Sequence, residues 1–349
     1  MIEVWNRRRN AFRLVMALAL ISMPACAMQQ YAMTDLGTLG GPESRACGVN
    51  SLGQVVGYSR IGTTSHAFLY TPGAGMVDLT PDSVLSYAYG INDSGQIVGS
   101  VSYTGRPGPH AYLYSAGTGM TDLGTLGGDD SYGYGINSAG QVTGYSAMNT
   151  GWPVSSPAFL YTPGGGMASL GTLGGSPAAG KAVNSLGHVV GYSYLSTGGP
   201  HAFLYKPSTG MVDLGIPGSI SWGEGINDSG KVVGWGSNGG FVWTQGTGAT
   251  FPFGWNGKAY AINNAGQVVG GVTHAFVWTA SSGMLDLGTL GGTYSCANAV
   301  SSNGYIAGYS WLSDGSIHAT LWTPVPEPGS ILTLAGGLSG IFFLRRRSR

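Results

Sequence analysis

Apolar positions along this chain fall into runs of four to six residues, rich in β-branched and aromatic types and separated by Gly, Pro and Asn. Runs that short, bounded by turn formers, predict strands rather than helices. The clearest set spans Met120 to Thr162: Met120–Leu123, Tyr132–Asn137, Gln141–Ser146 and Ala158–Thr162, here called a, b, c and d. The b–c junction reads N-S-A-G at Asn137 and N-D-S-G at Asn92 and Asn227. Asn first and Gly fourth marks a type I turn closed by a left-handed Gly, so b and c form a hairpin. The d–a junctions, P-G-A-G at Pro72 and P-G-G-G at Pro163, predict a second one.

The set repeats. Its sharpest marker, N-x-x-G-x-[VI]-x-G, begins at Asn50, Asn92, Asn137, Asn184, Asn227 and Asn263, and a degenerate copy begins at Ser301. The spacings are 42, 45, 47, 43, 36 and 38 residues. Four antiparallel strands in a unit of about 40 residues make one blade of a β-propeller. The expected fold is therefore all-β, a seven-bladed propeller of four-stranded blades. Inner strands covered on both faces explain small or apolar strings such as V-V-G-Y and A-Y-G-I-N. A linear β-solenoid is the competing repeat architecture, but its repeats usually run nearer about 20 residues.

The nearly constant G-T-L-G-G link between a and b is the expected crossing from an outer strand to the next inner one, which makes each blade b, c, d, a. The chain starts with a lone a (Met33 to Leu36) and ends with a lone d (His318 to Thr323), so the first strand is expected to complete the last blade.

Both ends differ from this body. Residues 1–27 carry Arg7, Arg8, Arg9 and Arg13, an apolar Leu14 to Met23, and Ala25-Cys26-Ala27 as an A-x-A cleavage site after Ala27. That is a secretory signal peptide, too short in its apolar part to span a bilayer. Residues 28–324 are uniform in composition, one repeat domain. Residues 325–349 hold Val325-Pro326-Glu327-Pro328-Gly329-Ser330, an apolar stretch from Ile331 to Leu344 expected to form a short transmembrane helix, and Arg345-Arg346-Arg347. Fourteen apolar residues make a weak permanent anchor, so the tail reads as a processed C-terminal signal.

Charge narrows the partners. Of 15 Lys and Arg, eight lie in the two ends, leaving seven; of 15 acids only Glu3 lies there, leaving 14. The region between carries a net charge of −7, which excludes nucleic acid bound by phosphate neutralisation. Once Cys26 leaves with the signal, Cys47 and Cys296 remain, in strand b of the first and last units. An even pair in an exported chain reads either as a disulfide across the closure or as two separate buried thiols.

Two resemblances bear on location. The string V-P-E-P-x-S, apolar stretch and R-R-R resembles the PEP-CTERM sorting signal of Gram-negative, exopolysaccharide-producing bacteria, which exosortase enzymes recognise and process. It implies passage through the secretion machinery, transient membrane anchoring, cutting near Pro326-Glu327-Pro328, and a place at the cell surface or in the extracellular matrix. The repeated H-A-F-L-Y-T (His66, His201), H-A-Y-L-Y-S (His110), H-A-F-V-W-T (His274) and H-A-T-L-W-T (His318), with D-L-G-T-L-G-G, resemble extracellular HAF repeats, a family that implies no particular activity.

Candidate chemistry is sparse. The five histidines at the start of d stand in different blades, too far apart to converge on a metal, and a repeated hydrogen bond within each blade is the plainer reading. Asp35, Asp78, Asp122, Asp213 and Asp286 recur in the same D-L string, which marks them as structural. The N-D-S-G turns lack the further ligands of a calcium loop. No catalytic residue, metal or cofactor is expected. The unrepeated charges Arg60, Arg106, Lys181, Glu224 and Asp314 fall on different blades, which argues against a propeller enzyme, a polysaccharide lyase or hydrolase, as the alternative. The c–d loops vary most and carry Tyr103, Arg106, Trp152, Tyr194, Trp311 and Asp314. Variable loops on a rigid scaffold are where binding is placed, and aromatic faces suit sugar rings. The expected role is a non-catalytic binding or structural module, with extracellular polysaccharide held on the c–d face.

Overall fold

The computed structural model describes residues 30–149 and 155–326, and within them the body Tyr31–Thr323 is one compact unit. The signal peptide with Ala27, the loop residue Trp152, and Glu327, Pro328 and Arg345 to Arg347 of the tail lie outside the described residues.

Seven four-stranded antiparallel sheets are present among the described residues. Each follows the order b, c, d, a; in the third blade these are Ser131–Ile136, Val142–Ser146, Ala158–Thr162 and Gly166–Gly171. The seventh sheet runs Gly291–Val300, Ile306–Leu312, Ile317–Val325 and then Gln30–Asp35, so the first strand of the chain completes the last blade. Leu36 N donates to Ala319 O at 2.9 Å across this closure.

The b–c turns form as their residues dictate. At the first, Gly53 N donates to Asn50 O and Asn50 N to Gln54 O, each at 3.1 Å, with Gly53 at φ 72°, a conformation that costs a glycine nothing. The Asn side chain closes the turn from inside. Asn137 Oδ1 accepts from Ala139 N and Gln141 N, both at 3.0 Å, and its Nδ2 donates to Asn184 O of the next blade at 2.9 Å. The repeated Asn is thus a turn former and a blade-to-blade bolt at once.

The core lies between blades. Each of seven apolar clusters joins two neighbours, as where Val98, Ala111 and Leu123 of the second blade meet Val142 and Phe159 of the third. A fully buried Phe such as Phe68, Phe159 or Phe203 contributes about 2 kcal/mol by leaving water. Strand-b serines tie the same interface: Ser131 Oγ accepts from Ala111 N (2.9 Å) and donates to Gly124 O (2.6 Å).

The repeated histidines pair with the repeated aspartates. Nδ1 of His66, His110, His201, His274 and His318 lies 2.7–3.0 Å from a carboxylate oxygen of Asp78, Asp122, Asp213, Asp286 and Asp35. Each Asp also caps its chain, as Asp213 Oδ1 does for Gly215 N at 2.8 Å. The third and fifth blades lack the pair, with Pro157 and Gly239 in the place of the His, and in the fifth the stretch after the last strand packs there. A Cβ on Gly239 would run into Gly254 O, and Phe253 fills the gap against Phe276 with 5.2 Å between ring centroids.

Cys47 and Cys296 are free thiols, Cys47 half-buried and Cys296 buried. They are out of step along their strands. Cys296 pairs opposite Tyr309, in the place Arg45 takes opposite Tyr58 in the first blade, whereas Cys47 falls between the paired Ala46 and Gly48 and has no cross-strand partner.

Candidate functional site on the propeller axis

In every blade the pairing of strands b and c slips by one residue at the same place. The slip is a β-bulge, and the extra residue is Cys47, Tyr89, Tyr134, Lys181, Glu224, Tyr260 and Asn298 in blades one to seven. A bulge bends the strand and re-aims one side chain. Here it aims all seven at the axis, where together they line a single cavity of about 180 Å³.

Two neighbours make this possible. The residues flanking each bulge are Gly or Ala throughout, because adjacent inner strands touch; a Cβ on Gly225 would stand 3.1 Å from Ala261 Cα. Strand c carries a Gly opposite each bulge. At Gly144, for example, a Cβ would collide with the Tyr132 carbonyl of the facing strand.

Two residues before each bulge, towards the end where the c–d loops lie, comes a second layer with its strand-c partners. Between the first and third blades it is tyrosine. Tyr58 meets Tyr87 edge-on at 5.0 Å, Tyr87 stacks on Tyr89 at 5.8 Å, Tyr89 meets Tyr134 at 5.0 Å, and Tyr132 stacks on Tyr145 at 4.9 Å. Lys181 Nζ lies 4.2 Å from the centroid of Tyr134. Beyond the fourth blade the layer changes to tryptophan and cations. Trp222 stacks on Trp235 at 4.0 Å, Lys258 Nζ sits 3.9 Å over Trp235, and Trp235 Nε1 donates to Glu224 Oε1 at 3.0 Å. Arg45 lies 4.5 Å over Tyr309 while its Nε donates to Glu43 at 2.7 Å.

Burial sets the protonation of the neutral groups. It pushes the phenols of Tyr89, Tyr134 and Tyr260 well above the usual tyrosine range, and that of Tyr58 up to about 12. The thiols of Cys47 and Cys296 are each pushed up to about 12 by burial, opposed by Arg45 and Lys181 at Cys47 and first by hydrogen bonds with Tyr309 and Tyr294 at Cys296. At neutral pH the phenols are therefore hydrogen-bond donors, and the thiols are not nucleophiles.

The expected loop residues fare differently. Arg106 is committed to its own blade, 2.5 Å from Asp122 and 5.9 Å over Tyr103, which is 37 % exposed. Asp314 shapes its own turn, accepting from Ser316 N and Oγ at 2.9 and 2.6 Å. Tyr194 pairs opposite Pro200 at the end of its strand. Trp311, 40 % exposed, adjoins the axial layer through Tyr294 at 6.3 Å, and Tyr294 lies 6.0 Å from Tyr309.

The unrepeated charges do not all stay scattered. Lys181 and Glu224 sit at equivalent positions on different blades, and equivalence on an inner strand brings them to one axis. Arg60 remains outside, 3.5 Å from Glu43. The missed signal is small-x-small before [VI]-[NS], with x changing from unit to unit. Trp255, 79 % exposed on the irregular crossing from the fifth to the sixth blade, also escaped the repeat pattern.

Comparison with known proteins adds location and fold. Residues 324–347 match the PEP-CTERM protein-sorting motif. The motif implies an exported protein, recognised by an exosortase-type processing enzyme and sorted at a membrane. No curated protein matches the chain. Among solved structures it is similar to the S511A mutant of puromycin hydrolase complexed with PGG, at 10 % identity and TM-score 0.56, over 82 % of this chain and 54 % of that one. It is also similar to TolB from Acinetobacter baumannii (14 % identity, TM-score 0.41, 61 % of this chain and 51 % of that one) and to a putative gluconolactonase (8 %, 0.44, 86 % and 95 %). The chain spans about half the length of the TolB and puromycin hydrolase chains. The likeness to puromycin hydrolase is one of fold: this is an exported seven-bladed propeller with a PEP-CTERM sorting motif.

Proposed function

We propose that the protein is a non-catalytic binding module, held at the cell surface or in the extracellular matrix of a Gram-negative bacterium. Its ligand is extracellular polysaccharide, taken at the axial mouth on the c–d side. The observation that carries this reading is the set of seven identical bulges bearing five kinds of side chain. Repetition serves the fold, so variation at an equivalent, axis-facing position serves something else. Stacked tyrosines and tryptophans with a few polar neighbours suit the apolar faces and hydroxyl edges of sugars.

The enzyme reading has less support. Glycoside hydrolysis takes two carboxyl groups flanking the bond, and Glu224 is the one carboxylate among the residues lining the cavity. Elimination by a tyrosinate base meets a phenol that burial holds protonated.

The test is to incubate the full exported chain with the producer's exopolysaccharide, following tryptophan emission and polymer size together. Binding with a changed emission and unchanged polymer length is expected, weakened at least about tenfold when Trp222 and Trp235 are both replaced by Leu, since each stacked ring is worth about 1 kcal/mol. Shortened polymer would make the protein an enzyme, and undiminished binding by the double variant would move the site elsewhere.

A further inference from the structure

The charge at the mouth opposes the charge of the body. Acids outnumber bases two to one between the chain ends, yet three of the seven body cations, Arg45, Lys181 and Lys258, gather on the axis, with Glu43 and Glu224 beside them and Asp130 near the tyrosine layer. Arg45 is paired with Glu43. Lys181 and Lys258 have no ion pair among the described residues. Each lies on an aromatic face, Tyr134 and Trp235, instead. A ring face attracts an ammonium without cancelling its charge, so both keep N–H donors for an anion. The tyrosine hydroxyls around Lys181 add neutral donors.

Resting on the polysaccharide reading above, we infer that the ring selects an anionic sugar: the carboxylated terminal residue of an acidic saccharide, a uronic acid. Its carboxylate is met by Lys181 and by the ring phenols, and the next residues lie over the aromatic layer towards Lys258 and Trp235. Size limits the entry to one residue. The cavity of about 180 Å³ is smaller than the ~300 Å³ at which pockets begin to enclose drug-sized molecules. A low-dielectric, cationic recess in an acidic protein also gives a test by salt, because exposed pairs are screened strongly and recessed ones less.

The experiment is calorimetric titration of the full exported chain with trigalacturonate and with its methyl ester. The acid should bind at least about tenfold more tightly, the share of one charge-assisted hydrogen bond. Replacing Lys181 by Met should remove that preference, and Lys231→Met, an exposed lysine away from the mouth, should keep it. If Lys181→Met does not fold, added NaCl serves instead and should weaken the acid more than the ester. Equal affinity for acid and ester, or a preference that survives Lys181→Met, overturns the inference while leaving glycan binding in place. Failure of both sugars to bind overturns the inference, and the incubation with the producer's exopolysaccharide then decides the wider reading by itself.

Discussion

Two levels of the same inner strands, three residues apart, behave in opposite ways. At the b–c turn six of seven blades carry Asn, and its Nδ2 reaches the carbonyl of the next blade's turn at 2.9–3.3 Å from Asn50 round to Ser301. Three residues earlier, on a backbone just as regular, stand Cys, Tyr, Tyr, Lys, Glu, Tyr and Asn. Where a side chain holds blade to blade, every blade needs the same one. Where it faces an open cavity, the fold sets the bulge and leaves the side chain free to vary, Asn298 at the seam excepted. The seam shows the same division. Ser301 has no amide to donate, and the bond across the closure passes to Asn303, whose Nδ2 reaches Ser51 O at 2.8 Å, and to Asn298, which reaches Ala46 O at 2.8 Å.

The contrast is broken most severely through the glycine that permits the bulge. Gly144→Ala sets a Cβ against the Tyr132 carbonyl, backbone against backbone, with no flexible side chain to give way. Overpacking of this kind costs about 3 kcal/mol, at the upper end of its range. Urea unfolding should show that loss, and a cost below about 1 kcal/mol would mean that the bulge needs no glycine opposite it.

Next comes the bolt. Asn137→Ala removes the one oxygen that accepts both turn-closing N–H bonds and the inter-blade donor at a buried site. Leaving buried groups unpaired costs about 1–3 kcal/mol, and Asn137 should fall near the top of that range. Ser301→Ala, at the degenerate copy, loses the hydroxyl that accepts from Tyr305 N at 2.9 Å and should cost about 1 kcal/mol. Equal losses for the two would deny the Asn its inter-blade role.

These levels were not equally legible. The fold stood in the sequence because its causes repeat: the Asn turn, the d–a glycines and the G-T-L-G-G crossing recur with a spacing that only a ring of blades explains. The lone first strand even foretold the closure. The His–Asp pairs were half legible, since the shared place of His66 and its copies pointed to a hydrogen bond without naming Asp78 as its partner. The axial ring was hidden because its residues share no identity. Lys181 and Glu224 are 43 positions apart, and only the equivalence of their places, before Val183-Asn184 and Ile226-Asn227, says that they face each other. A bulge adds to the concealment, since strict alternation along strand b would place Cys47 or Tyr134 against a neighbouring blade rather than on the axis.

The smallest effect is the most telling. If the ring side chains are free of structural duty, replacing them should hardly touch stability. Lys181→Met loses one cation–π contact, worth about 0.5–1 kcal/mol, and gains an apolar side chain of similar length against Tyr134. Glu224→Gln keeps an acceptor for Trp235 Nε1 and should cost about as little. Both changes leave the flanking small residues, the bulge and the strand-c glycine untouched. Thermal and urea unfolding of the two variants should therefore stay within about 1 kcal/mol of the parent, against about 3 kcal/mol for Gly144→Ala. A loss above about 2 kcal/mol from either would place the ring among the interactions that hold the blades together. The variety of its side chains would then need a structural cause, and the assignment of the axis to a ligand would fail with it.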